Sequence, residues 1–193
     1  MSGPPIEHRP EITAGDVPFR RRPATLQEAK AVAHPLRLRI LRLCTLEELT
    51  NKQLADRLDR DPGTVLYHVK QLVDAGLLEP APVRTGASGA LEKPYRATGV
   101  TRWLETTLAH SVDGGALAPV LAMQQELQAA GPDAIEKMSR FVLHLRPEQL
   151  EELALRVVEV LDDYTAGDGE RLDQPVYSGM FLLHRLGAPG EPQ

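Results

Sequence analysis

A single cysteine, Cys44, stands among 193 residues. That excludes an internal disulfide framework and suits a reducing cytosol, with Cys44 itself expected as a small buried apolar residue on a helix. No apolar run approaches the roughly 18–20 residues that a membrane span needs. The stretch Met1–Thr13 lacks the apolar segment of a secretion signal, so the expected setting is the cytoplasm, with no membrane partner. Six histidines without local ligand spacing give no zinc signature. Neither a phosphate-binding glycine loop nor a paired catalytic motif is present, and no internal repeat. The chain is therefore expected not to be an enzyme and to carry no cofactor or resident metal.

Positive charge is also short overall, the net being −5. Its distribution changes the meaning of that figure. Residues 1–19 carry one Arg against three acids, residues 20–106 carry 15 Lys and Arg against 10 Asp and Glu, and residues 107–193 carry 6 against 14. A basic N-terminal half joined to an acidic C-terminal half is the footprint of a nucleic-acid module fused to something else.

Residues 1–23 hold Pro4, Pro5, Pro10, Pro18 and Pro23 without apolar periodicity and read as a mostly disordered arm. It ends on Arg20–Arg22, a candidate phosphate contact. Thr25 is placed to cap a short helix through Ala33, and His34-Pro35 restarts it with proline at a favoured first position. Leu36, Ile40 and Leu43, widened by Leu38 and Leu41, predict a helix buried on more than one side.

Thr50 followed by Gln53 has the spacing of a capping box, and Leu54, Ala55 and Leu58 form an inward stripe behind it. Asp59–Asp61 has room only for a turn. Asp61-Pro62 then opens a second helix, Pro62–Ala75, with Val65, Val69, Leu72 and Val73 inward and Gly76 as its stop. Two short helices joined by a three-residue turn follow the helix-turn-helix plan. Leu77–Val83 and Lys93–Thr98 read as strands flanking a glycine-rich tip, which makes a wing.

Beyond residue 100 the sequence predicts helices over Thr101–His110 (anchored by Trp103), Ala118–Ala130 and Pro147–Tyr164, with a turn or two at Asp133–Met138. Strands are expected at Ser139–Leu145 and Val176–Leu186. His144 and His184 would lie on those strands as weak candidates for a metal or ligand. The fold class expected is α+β and mainly helical: a disordered arm over 1–23, a winged helix-turn-helix over 24–106, and a C-terminal helical or mixed α/β region over 107–193 that helps dimerisation and holds a candidate small-molecule effector.

A helix entering the major groove buries one face on its own domain and offers the other to base edges. Opposite the apolar set lie Thr64, Tyr67, His68 and Gln71, offset by three, four and seven residues. Thr, His and Gln hydrogen-bond bases, and Tyr67 suits a phosphate or a thymine methyl. Lys70 on the flank suits a phosphate, as do Lys52 and Thr50 beside the free amides of the preceding helix. Arg84, Lys93 and Arg96 would bring the wing to the adjacent groove.

Ala31–Leu41 (AVAHPLRLRIL) and Asp61–Leu78 (DPGTVLYHVKQLVDAGLL) together resemble ArsR-like winged helix-turn-helix regulators, over about residues 25–106. The resemblance implies a homodimer on a two-fold-related double-stranded DNA operator, commonly a repressor released by an effector. Metal-sensing members carry a cysteine pair in the first helix of the motif. Leu49–Leu58 has neither Cys nor His, so metal sensing does not carry over at that site. Dimerisation also has a physical argument, since one recognition helix contacts few bases and two-fold pairing doubles the contact. The expected interface is Thr101–His110 with the neighbouring helix. Two alternatives stand beside this reading: a winged-helix module that docks protein, and a metal-responsive sensor using His144 or His184.

Overall fold

The computed structural model describes residues 22–86, 89–105 and 112–187. They fall into two compact units, divided between Glu136 and Lys137. The division comes some thirty residues later than the expected one at 106/107, because the helix Ala118–Ala130 packs with the first unit.

In that unit, β1 (Arg22–Pro23) leads into α1 (Leu26–Val32), whose N-cap Thr25 forms a capping box with Glu28. α2 (Pro35–Leu46) follows, capped by the ring nitrogen of His34, which accepts from the Leu36 amide at 3.2 Å. β2 (Leu49–Thr50) runs into α3 (Asn51–Leu58), where Thr50 and Gln53 complete the expected reciprocal cap. Asp59 adopts a left-handed conformation with φ 51° to turn the chain into α4 (Pro62–Asp74), capped by the Asp61 carboxylate. The helix stops at Gly76, φ 70°, a backbone conformation that other residues adopt at a cost.

Strands β3 (Leu78–Pro80) and β6 (Pro94–Ala97) pair antiparallel, with β2 on the other side of β6, so the helix-turn-helix is tied to its own wing. The tip of the wing is a second ladder, β4 (Arg84–Thr85) against β5 (Leu91–Glu92). All three helices from α2 to α4 contribute to one core. Ile40, Leu54, Val65, Val69 and Leu72 are fully shielded, and Leu36, Leu41 and Leu58 join them. Leu38, Leu43 and Val73 of the expected core are only partly buried, at its edge.

Cys44 lies in the same core, and burial pushes its thiol up to about 12. Only the thiolate is reactive. A disulfide-forming aromatic reagent at pH 7.5 is therefore expected to leave Cys44 unmodified in the native chain and to label it at the rate of unfolding; rapid labelling without denaturant would contradict this burial.

Several expectations change. Arg22 and Pro23 are not arm but strand: β1 pairs in parallel with β7 (Leu104–Glu105), and the Arg22 guanidinium meets the Glu28 carboxylate at 2.5 Å. Residues 1–21, with Arg20 and Arg21, lie outside the described residues. Over Thr101–His110 there is no helix where the chain is described. A single 3-10 turn spans Val100–Trp103, and Leu104 then enters a strand because pairing with β1 buries it. The remainder of that predicted helix, 106–111, and the Trp103 side chain are outside the described residues.

α5 (Ala118–Ala130) matches the expected helix and packs on α2, with Ala118 and Ala122 buried and Arg42 paired to Glu126 at 3.2 Å. In the second unit, α6 (Pro147–Ala166) is likewise where the sequence puts it. Asp133–Met138 is reduced to a 3-10 turn at Pro132–Ala134. Ser139–Leu145 and Val176–Leu186 are not strands, since a strand exists only by hydrogen bonding to a neighbour and neither segment has one among the described residues. The whole is α+β and mainly helical, as expected.

Candidate nucleic-acid interface

The geometry of α4 follows from its burial. Val65, His68, Val69 and Leu72 face inward at offsets of three, four and seven; Thr64, Tyr67, Lys70 and Gln71 are exposed, Tyr67 by 59%. His68 thus leaves the expected reading stripe, being only 8% exposed. Around a helix it sits about 40° from Thr64 and equally about 40° from Leu72, so the helical wheel assigns it to neither face. The decision comes from α2, whose N-cap His34 covers that edge with ring centroids 4.5 Å apart. Burial, then the neighbouring His34, then Arg37 push His68 down to about 4, and its Nδ1 has no hydrogen-bond partner. A neutral, enclosed imidazole is a packing element. Lys70 gains what His68 loses, and moves from the flank to the exposed stripe.

The two helices of the motif are locked at their N-termini. Asn51 Nδ2 donates to the Pro62 carbonyl at 2.9 Å, and Asp61 Oδ1 accepts from the Thr64 amide at 2.9 Å. This brings the start of α3, with exposed Lys52, next to the start of α4. Two positive helix ends and a free lysine then share one edge. Asn51 was not singled out from the sequence; its only signal was an amide side chain directly after the N-cap. Thr50 is half-buried and its hydroxyl is engaged in the cap, accepting from the Gln53 amide at 3.2 Å.

The wing is less free than its basic residues suggest. Arg84 pairs with Glu92 across the tip at 3.1 Å and donates to the Glu48 carbonyl. Arg96 pairs with its cross-strand partner Glu79 at 2.8 Å and reaches the Glu48 carboxylate at 3.8 Å. Both guanidiniums are thus internally compensated. Lys52, Lys70 and Lys93 are exposed and form no ion pair among the described residues. His144 and His184 are exposed on separate unpaired segments. No group of three or more metal-type side chains assembles among the described residues.

Capped helices, the three-residue turn and the hairpin after them have one description. The N-terminal unit is a winged helix-turn-helix. Residues 32–81 match a family model described as a helix-turn-helix domain, which covers α2, α3, α4 and β3. A solved structure described as a protein with a GntR superfamily winged-helix-turn-helix domain, from Halomicrobium mukohataei, is 25% identical. The alignment covers 60% of this chain and 76% of that one, at a TM-score of 0.36. No curated protein matches significantly. No helix among the described residues is long and apolar enough to cross a membrane. Thr64, Tyr67, Lys70 and Gln71 leave the polar face of α4 exposed, while α2 covers its His68 edge.

Proposed function

We propose that this chain is a sequence-specific double-stranded DNA-binding transcription regulator that acts as a homodimer. The observation that carries the reading is α4 itself: one face is sealed in the core, while Thr64, Tyr67, Lys70 and Gln71 form an exposed polar stripe on a helix held rigidly at its N-terminus. That is the division of labour a recognition helix in the major groove requires. Thr64 and Gln71 are assigned to base edges, Tyr67 to a thymine methyl or phosphate, and Lys52, Lys70 and Lys93 to the backbone. Thr50 is occupied in its cap, by its amide as well as its hydroxyl, so it supports the same contact by fixing the helix start beside Lys52. Arg84 and Arg96 contribute only by giving up internal partners, and His68 is withdrawn from the site. Repression with release by a small-molecule effector rests on the resemblance of the two α2 and α4 strings, and the effector is assigned to the C-terminal region.

Selection of bound sequences from random DNA supplies the operator. On it, Tyr67→Ala and Gln71→Ala are each expected to weaken specific binding about 10-fold or more while sparing affinity for unrelated DNA. Unchanged operator affinity in both variants would sink the reading and favour a protein-docking module. Lys70→Ala is expected to weaken binding to all sequences and to reduce the slope of log affinity against log salt by about 1. Arg96→Ala should change that slope less, because Glu79 and Glu48 already neutralise it.

A further inference from the structure

Among the described residues of the second unit, 137–187, not one is buried. Sixteen large apolar side chains there are exposed, Leu172 by 82% and Val142 and Tyr177 by 72% each. A helix or sheet with an apolar face is stable only when that face is covered. α6 carries such a stripe, at helical spacing over a rod about 30 Å long: Leu153, Val157 and Val158 are half-buried, and Leu150 and Leu161 are exposed. Its other side is solvated, with Glu152 paired to Arg156 at 2.7 Å. Before and after the helix in sequence come Ser139–Leu145 and Val176–Leu186, both rich in strand-forming residues and both without backbone hydrogen bonds among the described residues.

Three considerations select what covers this surface. The sixteen exposed apolar side chains, mostly aliphatic and each offering on the order of 100 Å² when bare, present on the order of 1,000 Å² together. That meets the roughly 800 Å² per partner of a specific interface. Over residues 137–193, six Lys and Arg face ten Asp and Glu, and the polar side of α6 is glutamate-rich. A lipid surface takes helices with basic polar faces, so a membrane does not fit. Lastly, two strand-prone segments flanking one amphipathic helix are self-complementary: related by a two-fold axis, each copy supplies the strand neighbours and the helix face that the other lacks.

We infer that residues 137–187 are completed by the same residues of a second copy, with the α6 stripes packed together and 139–145 and 176–186 joining one sheet shared by both chains. This deepens the dimer reading above by moving the interface from Thr101–His110 to the C-terminal unit.

The test uses the full chain. Sedimentation at micromolar concentration is expected to give the mass of two chains, and Val157→Asp/Leu161→Asp is expected to raise the dimer dissociation constant about 100-fold or more. Hydrogen exchange of 139–145 and 176–186 is expected to be slow above the dissociation constant of the native chain and fast on dilution below it. A single-chain mass at all concentrations, a dimer that survives the double substitution, or a dimer whose two segments exchange freely would each overturn the inference. Resistance of Cys44 to a thiol reagent reports that the winged unit of the variant remains folded. Tyr67→Ala is expected to weaken operator binding as above but keep the mass of two chains, so failure of the DNA reading and failure of the interface are told apart.

Discussion

Leu72→Ala is expected to lower the stability of the N-terminal unit by about 3 kcal/mol, within the 2–5 kcal/mol range of buried leucine truncations. Leu72 has no exposed surface and belongs to the core shared by α2, α3 and α4. Truncation there removes several methyl and methylene groups from a site walled by capped helices, which cannot collapse far to fill the space. The midpoint of urea unfolding should fall without a change in slope, and the melting temperature should drop by roughly 10 °C or more. Tyr67→Ala, one and a half turns earlier on the exposed side of the same helix, should shift stability by only about 0.5 kcal/mol. If Leu72→Ala unfolds no more readily than Tyr67→Ala, α4 does not present the face described above.

Acidification gives the second large effect. His68 is held down to about 4 from its ordinary 6.5, first by burial, then by His34 and Arg37, and His34 is lowered by burial and Arg37 in turn. The unfolded chain takes up these protons more readily than the folded one, so the contribution is fully present above about pH 6.5 and is lost as pH falls towards 4. For His68 the loss is on the order of 2 kcal/mol. A second carboxylate-driven loss follows at lower pH. The Arg22 guanidinium, opposed by burial and aided by Thr25, holds Glu28 at about 2 instead of 4.5, and stability tied to that carboxylate disappears as pH falls through this interval. Urea midpoints measured from pH 7.5 to pH 4 should therefore decline, and His68→Phe should flatten the upper part of the curve. A constant midpoint from pH 7 to pH 4.5 would show that the imidazole is not enclosed. At pH 7.5 His68→Phe should also retain operator specificity, because the ring does not face DNA.

These two residues mark where reading the chain residue by residue stops being sufficient. Leu72 was legible: its spacing from Val65 and Val69 admits one helical face, and apolar side chains at that spacing have nowhere to go but inward. His68 was not, since its angular position lies between the polar and apolar stripes and an imidazole is compatible with either. Only the approach of His34, thirty-four positions earlier, gave it a side. The same reasoning applies to Arg84 and Arg96, which count as free positive charge until the pairings of β3 with β6 and of β4 with β5, and the turn before β2, bring Glu79, Glu92 and Glu48 beside them.

By itself, the sequence determined the caps and helix starts that depend on neighbours a few positions away. The Thr50–Gln53 cap and the Asp61-Pro62 start are made by side chains that satisfy backbone groups within one turn, the stop at Gly76 by a left-handed backbone, and α5 and α6 begin at prolines in their first turns. Pairing over long distances was decided by tertiary structure alone. Leu104 became a strand because Arg22 and Pro23 lie beside it, α5 joined the N-terminal unit because α2 offers it a surface, and 139–145 and 176–186 did not become strands because no partner lies within the described chain. A strand's hydrogen bonds belong to two segments at once, and a sequence read along its length sees only one of them.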